Sequence, residues 1–178
     1  TSPRAAIKAG LAYVTEDRKG NGLILTESIT KNTTAAKPEK ISKNWVIDFE
    51  KEKNVSEDMA KEMHTKCATV MENVGNLSGG NMQKVLLGKW LFADPDILIL
   101  DEPTRGIDVG AKYEIYCIIN KMVAEGKSVI LISSEMPEVL GMSDRIYVMN
   151  EGRMIAEMDA KGATQEKIMA CIINSENK

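Results

Sequence analysis

The residues best suited to chemistry close an aliphatic run: Ile97-Leu98-Ile99-Leu100 leads straight into Asp101-Glu102-Pro103. A short continuous apolar run reads as a buried parallel strand, and the carboxyl ends of such strands are where open α/β sheets bind ligands. Adjacent carboxylates there suit phosphoryl transfer, one holding Mg²⁺ and its neighbour orienting or deprotonating the attacking water. A strand that simply exits into an acidic turn before proline has the same wording, so the run alone does not decide. Upstream, Leu77-Ser78-Gly79-Gly80-Asn81-Met82-Gln83-Lys84 sets a serine and two glycines where a helical pattern begins. Free backbone N–H groups and the helix dipole favour an anion such as phosphate at that point, while an ordinary Ser78 N-cap explains the same residues more plainly. The two motifs in short succession are stronger evidence than either.

Other candidates are weaker. Thr104-Arg105-Gly106-Ile107-Asp108-Val109-Gly110-Ala111 follows the acids, and capping of the next helix accounts for Asp108. Ile130-Leu131-Ile132 ends in Ser133-Ser134-Glu135, with Ser134 expected as N-cap of the following helix. His64, the single histidine, falls in a polar helical stretch without Cys or acidic companions, which suits a solvated position better than a metal ligand. Trp45, Trp90, Tyr113 and Tyr116 fit packing better than any cofactor site.

These motifs need a scaffold. Leu11 to Thr15 reads as a strand and Glu16 to Gly22 as a charged loop. From about Thr26 to Asn76 the chain turns polar, with a helical pattern over Asp48 to His64 and a break at Pro38. Helical spacing resumes at Met82, Val85, Leu86, Lys89 and Trp90. Buried strands at 97–100 and 128–132 flank a helix from Val109 to about Glu125, a unit that argues for a parallel sheet. A short helix from Glu135 to Gly141, a hairpin of Arg145–Met149 and Met154–Met158, and a helix from Thr164 to Ile173 complete the pattern.

The 178 residues carry a net charge of −3 and 4% aromatics. That leaves no basic field for a phosphate backbone and few rings for base stacking, so nucleic acid is not an expected partner. With 43% apolar residues the chain suits a globular core, and its aliphatic runs are too short to span a bilayer. Cys67, Cys117 and Cys171 are odd in number and widely spaced, which fits a reducing, cytoplasmic compartment. The opening Thr1-Ser2-Pro3-Arg4, without Met or leader, reads as a cut from a longer chain.

In their order, the motifs resemble the ATPase subunit of ABC transporters. The wording from Asp101 to Lys112, with Ala12-Tyr13-Val14-Thr15-Glu16-Asp17-Arg18-Lys19, resembles bacterial ribose-, galactose- and xylose-type importers, whose ATPase chain fuses two nucleotide-binding domains. The likeness spans nearly the whole chain and is nearest to the second domain. It implies an α/β, P-loop NTPase-like parallel sheet with a helical subdomain at 26–76, and with signature, Walker B, D-loop, switch region, hairpin and final helix in 77–178. It further implies Leu77, Ser78, Gly79, Gly80 and Gln83 as nucleotide-contacting signature residues, Asp108 in the D-loop, Asp101 on Mg²⁺ and Glu102 as catalytic base. Glu16 stands where most of the family place the Gln that contacts Mg²⁺ and the attacking water, Ser134 where they place the switch histidine, and Met82 where sugar importers often have Gln.

No G-x-x-x-x-G-K-[ST] phosphate loop occurs anywhere in 1–178, so the chain alone is expected to be inactive. The resemblance implies ATP and Mg²⁺ as cofactors, and membrane permease subunits, a second nucleotide-binding domain and a periplasmic or lipid-anchored sugar-binding protein as partners. It also implies a peripheral position at the cytoplasmic face of the membrane. Because each signature serves the nucleotide of the opposite domain, the departures at Glu16 and Ser134 imply an asymmetric pair of sites. A non-hydrolysing regulatory or remnant nucleotide-binding module is the alternative, and a soluble ABC ATPase of DNA repair or translation a third reading.

Overall fold

The computed structural model describes residues 2–176, so Thr1 and residues 177–178, the ends of the 1–178 span, lie outside it. Up to Ile132 the order is α1 (Pro3–Lys8), β1 (Leu11–Val14), α2 (Ile29–Thr34), β2 (Ser42–Lys43), β3 (Val46–Ile47), α3 (Phe49–Glu62), α4 (Gly79–Ala93), β4 (Ile97–Asp101), α5 (Val109–Ala124) and β5 (Ser128–Ile132). Strands β1, β4 and β5 form a parallel sheet in that order, with Val14 opposite Leu100 and Asp101 opposite Ile132. Central β4 buries Leu98 and Leu100 completely, together with Val14, Leu86, Leu87 and Ile115. The outer strand β5 is more open than its composition predicts, because one of its faces is uncovered: Ser128, Ile130 and Ile132 are exposed, while Val129 and Leu131 on the other face are half-buried.

Helix α4 starts at Ser78, whose Oγ accepts from the Asn81 N–H at 3.4 Å and from Asn81 Nδ2 at 3.0 Å. It is apolar on most sides, as a helix enclosed by neighbours must be, and buries Met82, Val85, Leu86, Leu87 and Phe92. It ends at Asp94, a left-handed C-cap with φ 58°. Asp108 caps α5 by accepting from the Ala111 N–H at 3.0 Å, the role its position suggests.

The polar stretch 26–76 is less solvated than its composition reads. α2 buries Ile29, Thr30, Asn32, Thr33 and Thr34. The Asn32 amide closes the backbone around it, accepting from the Ile24 N–H at 2.8 Å and donating to the carbonyls of Ile24 and Ser28 at 3.0 Å. Thr34 donates to buried Glu52 at 2.8 Å. Polar side chains stay inside when every hydrogen bond is met, and this is such a case. Between α2 and α3 lies the β2–β3 hairpin, which a purely helical reading omits; Asn44 and Trp45 turn it with φ 52° and 67°, positive at both central positions as a two-residue hairpin demands.

Two more local differences stand out. Residues 3–8, before the first expected strand, wind into α1, started by Ser2 and a proline at the first turn. The expected loop 16–22 contains a π-turn over Arg18–Gly22, held by Asp17 accepting from the Gly20 N–H at 2.9 Å.

The second compact unit begins at Ser133 and comprises α6 (Met136–Met142), β6 (Arg145–Asn150), β7 (Arg153–Asp159) and α7 (Gln165–Glu176). β6 and β7 pair as the expected antiparallel hairpin, turned by Glu151 and Gly152 at φ 47° and 74°. Ile146, Val148 and Ile168 form its core, and Thr164 caps α7 by accepting from the Lys167 N–H at 3.3 Å. Ser134 is not the cap of α6, as its sequence position suggested. That place falls to Glu135, whose backbone is extended and whose N–H donates to Ser133 Oγ at 3.0 Å, which puts Pro137 at the second helical position, where its missing N–H leaves no intrahelical bond unmade.

Candidate nucleotide site

Parallel register brings the carboxyl ends of β1 and β4 side by side, so the loop after Val14 and the loop after Asp101 share one edge of the sheet. Asp101 sits half-buried at that edge, and the Tyr13 hydroxyl donates to its Oδ2 at 2.6 Å. That hydrogen bond pushes the Tyr13 phenol above its ordinary pKa, with burial and the carboxylate's charge adding to it. The phenol therefore stays a donor and fixes the carboxylate's orientation.

Glu102 occupies the left-handed region at φ 47°, while its N–H donates to the Ile132 carbonyl at 2.9 Å and its own carbonyl accepts from the Arg105 N–H at 3.2 Å. A non-glycine residue in that conformation costs roughly 1–3 kcal/mol, and such strain gathers where a side chain must be aimed. Buried Pro103, Thr104 and Ile107 hold the following loop down, and the Ile107 N–H donates to the Thr104 carbonyl at 3.2 Å.

The start of α4 meets this loop. A Cβ on Gly80 would stand 2.8 Å from Ala111 Cβ, so glycine lets α4 and α5 converge at their N-termini. A Cβ on Gly79 would stand 3.3 Å from Arg18 Nη2 and 4.0 Å from the Gly106 carbonyl oxygen. Gly79, Gly80, Gly106, Asp108 and Arg18 thus gather in one place. Leu77 is buried beneath them and Ser78 is exposed, whereas Gln83 points into the packed face of α4 and is 2% exposed. An open groove of ≈ 560 Å³ leads away from Ser78, lined by Lys66, Cys67, Glu72 and Asn76 among others.

Glu16 does not stand alone: its carboxylate pairs with the Arg105 guanidinium, and Arg18 Nη1 donates to the Arg105 carbonyl at 3.1 Å. Ser134 lies in the second unit and is exposed. Sequence reasoning passed over Arg18 and Arg105, whose partners are 87 and 89 residues away, beyond any local period. It also passed over Lys84, fully buried in α4, where Nζ donates to the His64 carbonyl at 2.9 Å and pairs with Glu114. That pairing holds the Glu114 carboxyl below its usual range and ties α4 to α5. A lysine set among Met82, Val85, Leu86 and Leu87 is the available signal. His64 itself is exposed, as expected for a solvated residue.

Among the described residues no cluster of three or more His, Cys, Asp or Glu side chains could hold a metal unaided. One carboxylate at a sheet edge nevertheless fits Mg²⁺, which keeps most of its waters and binds through one or two carboxylates plus phosphates. Nor, among the described residues, is any helix long and apolar enough to cross a membrane.

This parallel sheet, with carboxylates at its edge and a glycine-rich helix start beside them, has the fold of ATP-binding cassettes. The fold agrees with solved cassettes. A dimeric ATP-binding cassette in a post-hydrolysis state, bound to ADP and Pi, superposes with a TM-score of 0.75 at 18% identity over 92% of this chain and 69% of that one. A nucleotide-free cassette from an ABC transporter does so at 0.72 and 22% identity, over 98% of this chain and 68% of that one.

The model of the ABC transporter family matches residues 2–105, and the chain belongs to that family. It is 59% identical over 164 residues to the L-arabinose transport ATP-binding protein AraG of Geobacillus stearothermophilus, which covers 92% of this chain and 32% of that protein. It is 56% identical over 169 residues to the xylose import ATP-binding protein XylG of Geobacillus kaustophilus, covering 95% and 34%, and 49% identical over 175 residues to the ribose import ATP-binding protein RbsA of Bacillus cereus, covering 98% and 35%. The chain therefore spans about a third of the length of the curated relatives it matches.

Proposed function

We propose that this chain is part of the ATP-hydrolysing subunit that drives monosaccharide import through an ABC transporter. The observation that carries the reading is the convergence of the Ser78-Gly79-Gly80 helix start on the loop that follows Asp101-Glu102, in a chain whose similar relatives are named for pentose transport. Exposed Ser78 and the start of α4 would receive a phosphate carried by a second nucleotide-binding domain, with the groove beside Ser78 taking the rest of the nucleotide. Leu77 anchors the motif, and Gly80 and Asp108 set its place against α5; Gln83 contributes by packing.

On its own side, Asp101 would hold Mg²⁺, which draws the phosphate oxygens together and offsets their charge. Tyr13 orients that carboxylate, and Glu102, held in a fixed backbone conformation, takes the proton of the attacking water. With Glu16 engaged by Arg105, this domain's own site turns over more slowly than the one its signature completes. Hydrolysis by the chain alone is not expected, since no phosphate loop occurs in its sequence.

In this reading the chain works at the cytoplasmic face of the membrane, bound to permease subunits that receive sugar from a binding protein. Affinity purification of the tagged, complete subunit from detergent-solubilised membranes tests it: a multi-spanning permease should co-purify in stoichiometric amount. Recovery with ribosomes or DNA, or recovery of a permease without any ATP turnover, contradicts it, the last outcome favouring a non-hydrolysing regulatory module.

A further inference from the structure

We propose that Glu16 is a positioning residue: with Arg18 it forms a clasp on Arg105 that joins the loop after β1 to the loop after β4 and fixes where Gly79 stands. This rests on the ATPase reading given above. Arg105 is held twice, its guanidinium by the Glu16 carboxylate and its carbonyl by Arg18 Nη1 at 3.1 Å. The same Arg18 guanidinium flanks Gly79, with Nη2 3.3 Å from where a Cβ would stand, and its Nε is buried without a hydrogen-bond partner. One side chain therefore touches both the loop that follows the acids and the start of α4.

The clasp is anchored at its other end. Asp17, between its two members, closes the π-turn through the Gly20 N–H at 2.9 Å. That turn ends at Gly22, whose missing side chain leaves room for Leu86, a Cβ there falling 2.9 Å from Leu86 Cδ2. Lys89 Nζ donates to the Gly22 carbonyl at 3.0 Å. Residues 16–22 thus run as a strap between α4 at Leu86 and Lys89 and the loop 104–108, passing Gly79 on the way. A displacement of the loop beside Asp101 and Glu102 must move the strap, and with it the phosphate-facing end of α4. A carboxylate occupied by a guanidinium in this way acts on the reaction through position, not by binding the metal.

The ion pair is exposed, Arg105 by 64% and Glu16 by 47%, so it adds little to folding and its variants should fold. The test uses the complete subunit with its permease and the variants Glu16→Gln, Arg105→Ala, Arg105→Lys and the exchange Glu16→Arg with Arg105→Glu. Each of the first two should lower kcat about tenfold, since small misplacements of reacting groups are costly, with the KM for ATP and the half-saturating Mg²⁺ concentration within about twofold of the parent. Combining them should cost no more than one alone, and Arg105→Lys and the exchange should recover most of the rate. A large shift in Mg²⁺ dependence with Glu16→Gln, or a silent Arg105→Ala, overturns the proposal.

Hydrogen exchange of the nucleotide-free protein gives a readout that does not depend on hydrolysis. Glu16→Gln and Arg105→Ala should each speed exchange at both the Ile107 and the Asn81 amides, and unchanged exchange at either overturns the clasp. Faster exchange at both, in a parent protein that hydrolyses no ATP, would support the clasp and reject the ATPase reading.

Discussion

Ser78→Arg should abolish nearly all ATP turnover in the assembled transporter, by about 100-fold or more, the scale seen when a preorganised donor aimed at developing charge is lost. Ser78 is exposed at the start of α4, and its hydroxyl both caps the helix and stands at the mouth of the groove. Arginine there removes the acceptor for the Asn81 N–H and fills the opening. The lost cap costs only about 1 kcal/mol, so the defect falls on turnover, not on folding. Glu102→Gln should cost less, because the site built on this domain's own acids has Glu16 engaged with Arg105. ATPase rates of the two variants side by side check this: equal losses contradict the asymmetric pair.

Leu100→Ala should destabilise the chain by about 2–5 kcal/mol, read as a lower urea midpoint with an unchanged slope. Leu100 is fully buried in the central strand, opposite Val14 on one side and Leu131 on the other, and it immediately precedes Asp101. The cavity left behind sits under the acidic edge, where neither neighbouring strand can close over it without breaking register. Trp45→Ala is the matched control: the side chain is wholly exposed at the tip of the β2–β3 hairpin, and its removal should change stability by no more than about 0.5 kcal/mol.

What sequence reveals here follows the range of the forces involved. The β4 strand, the Ser78 and Asp108 caps and the β6–β7 hairpin are local events, set by period and capping chemistry within a few residues, and they were legible. The hairpin at 42–47 was not, because two-residue strands carry no period and its turn is made by Asn44 and Trp45 without glycine. The buried threonines of α2 read as surface because their satisfaction depends on partners such as Glu52, 18 residues on. At the site, the acids and the glycines could be named from their spacing. The Tyr13–Asp101 and Glu16–Arg105 contacts, 88 and 89 residues apart in sequence, exist only through the β1–β4 pairing.

Glu102 makes the same point in another way. Its left-handed backbone is not a local preference, and arises because its N–H must reach the Ile132 carbonyl while its carbonyl closes the turn to Arg105. The ends of β4 and β5, with the turn to Arg105, together set the backbone of one residue. A single strand ending in two acids gives no hint of that arrangement.

The account is tested most directly by the rate of ATP hydrolysis, measured for the 178-residue chain alone and for the complete subunit assembled with its permease. It predicts no turnover by the chain alone and turnover in the assembly that falls to background with Ser78→Arg. Hydrolysis by the isolated chain, or an assembly indifferent to Ser78→Arg, would contradict it.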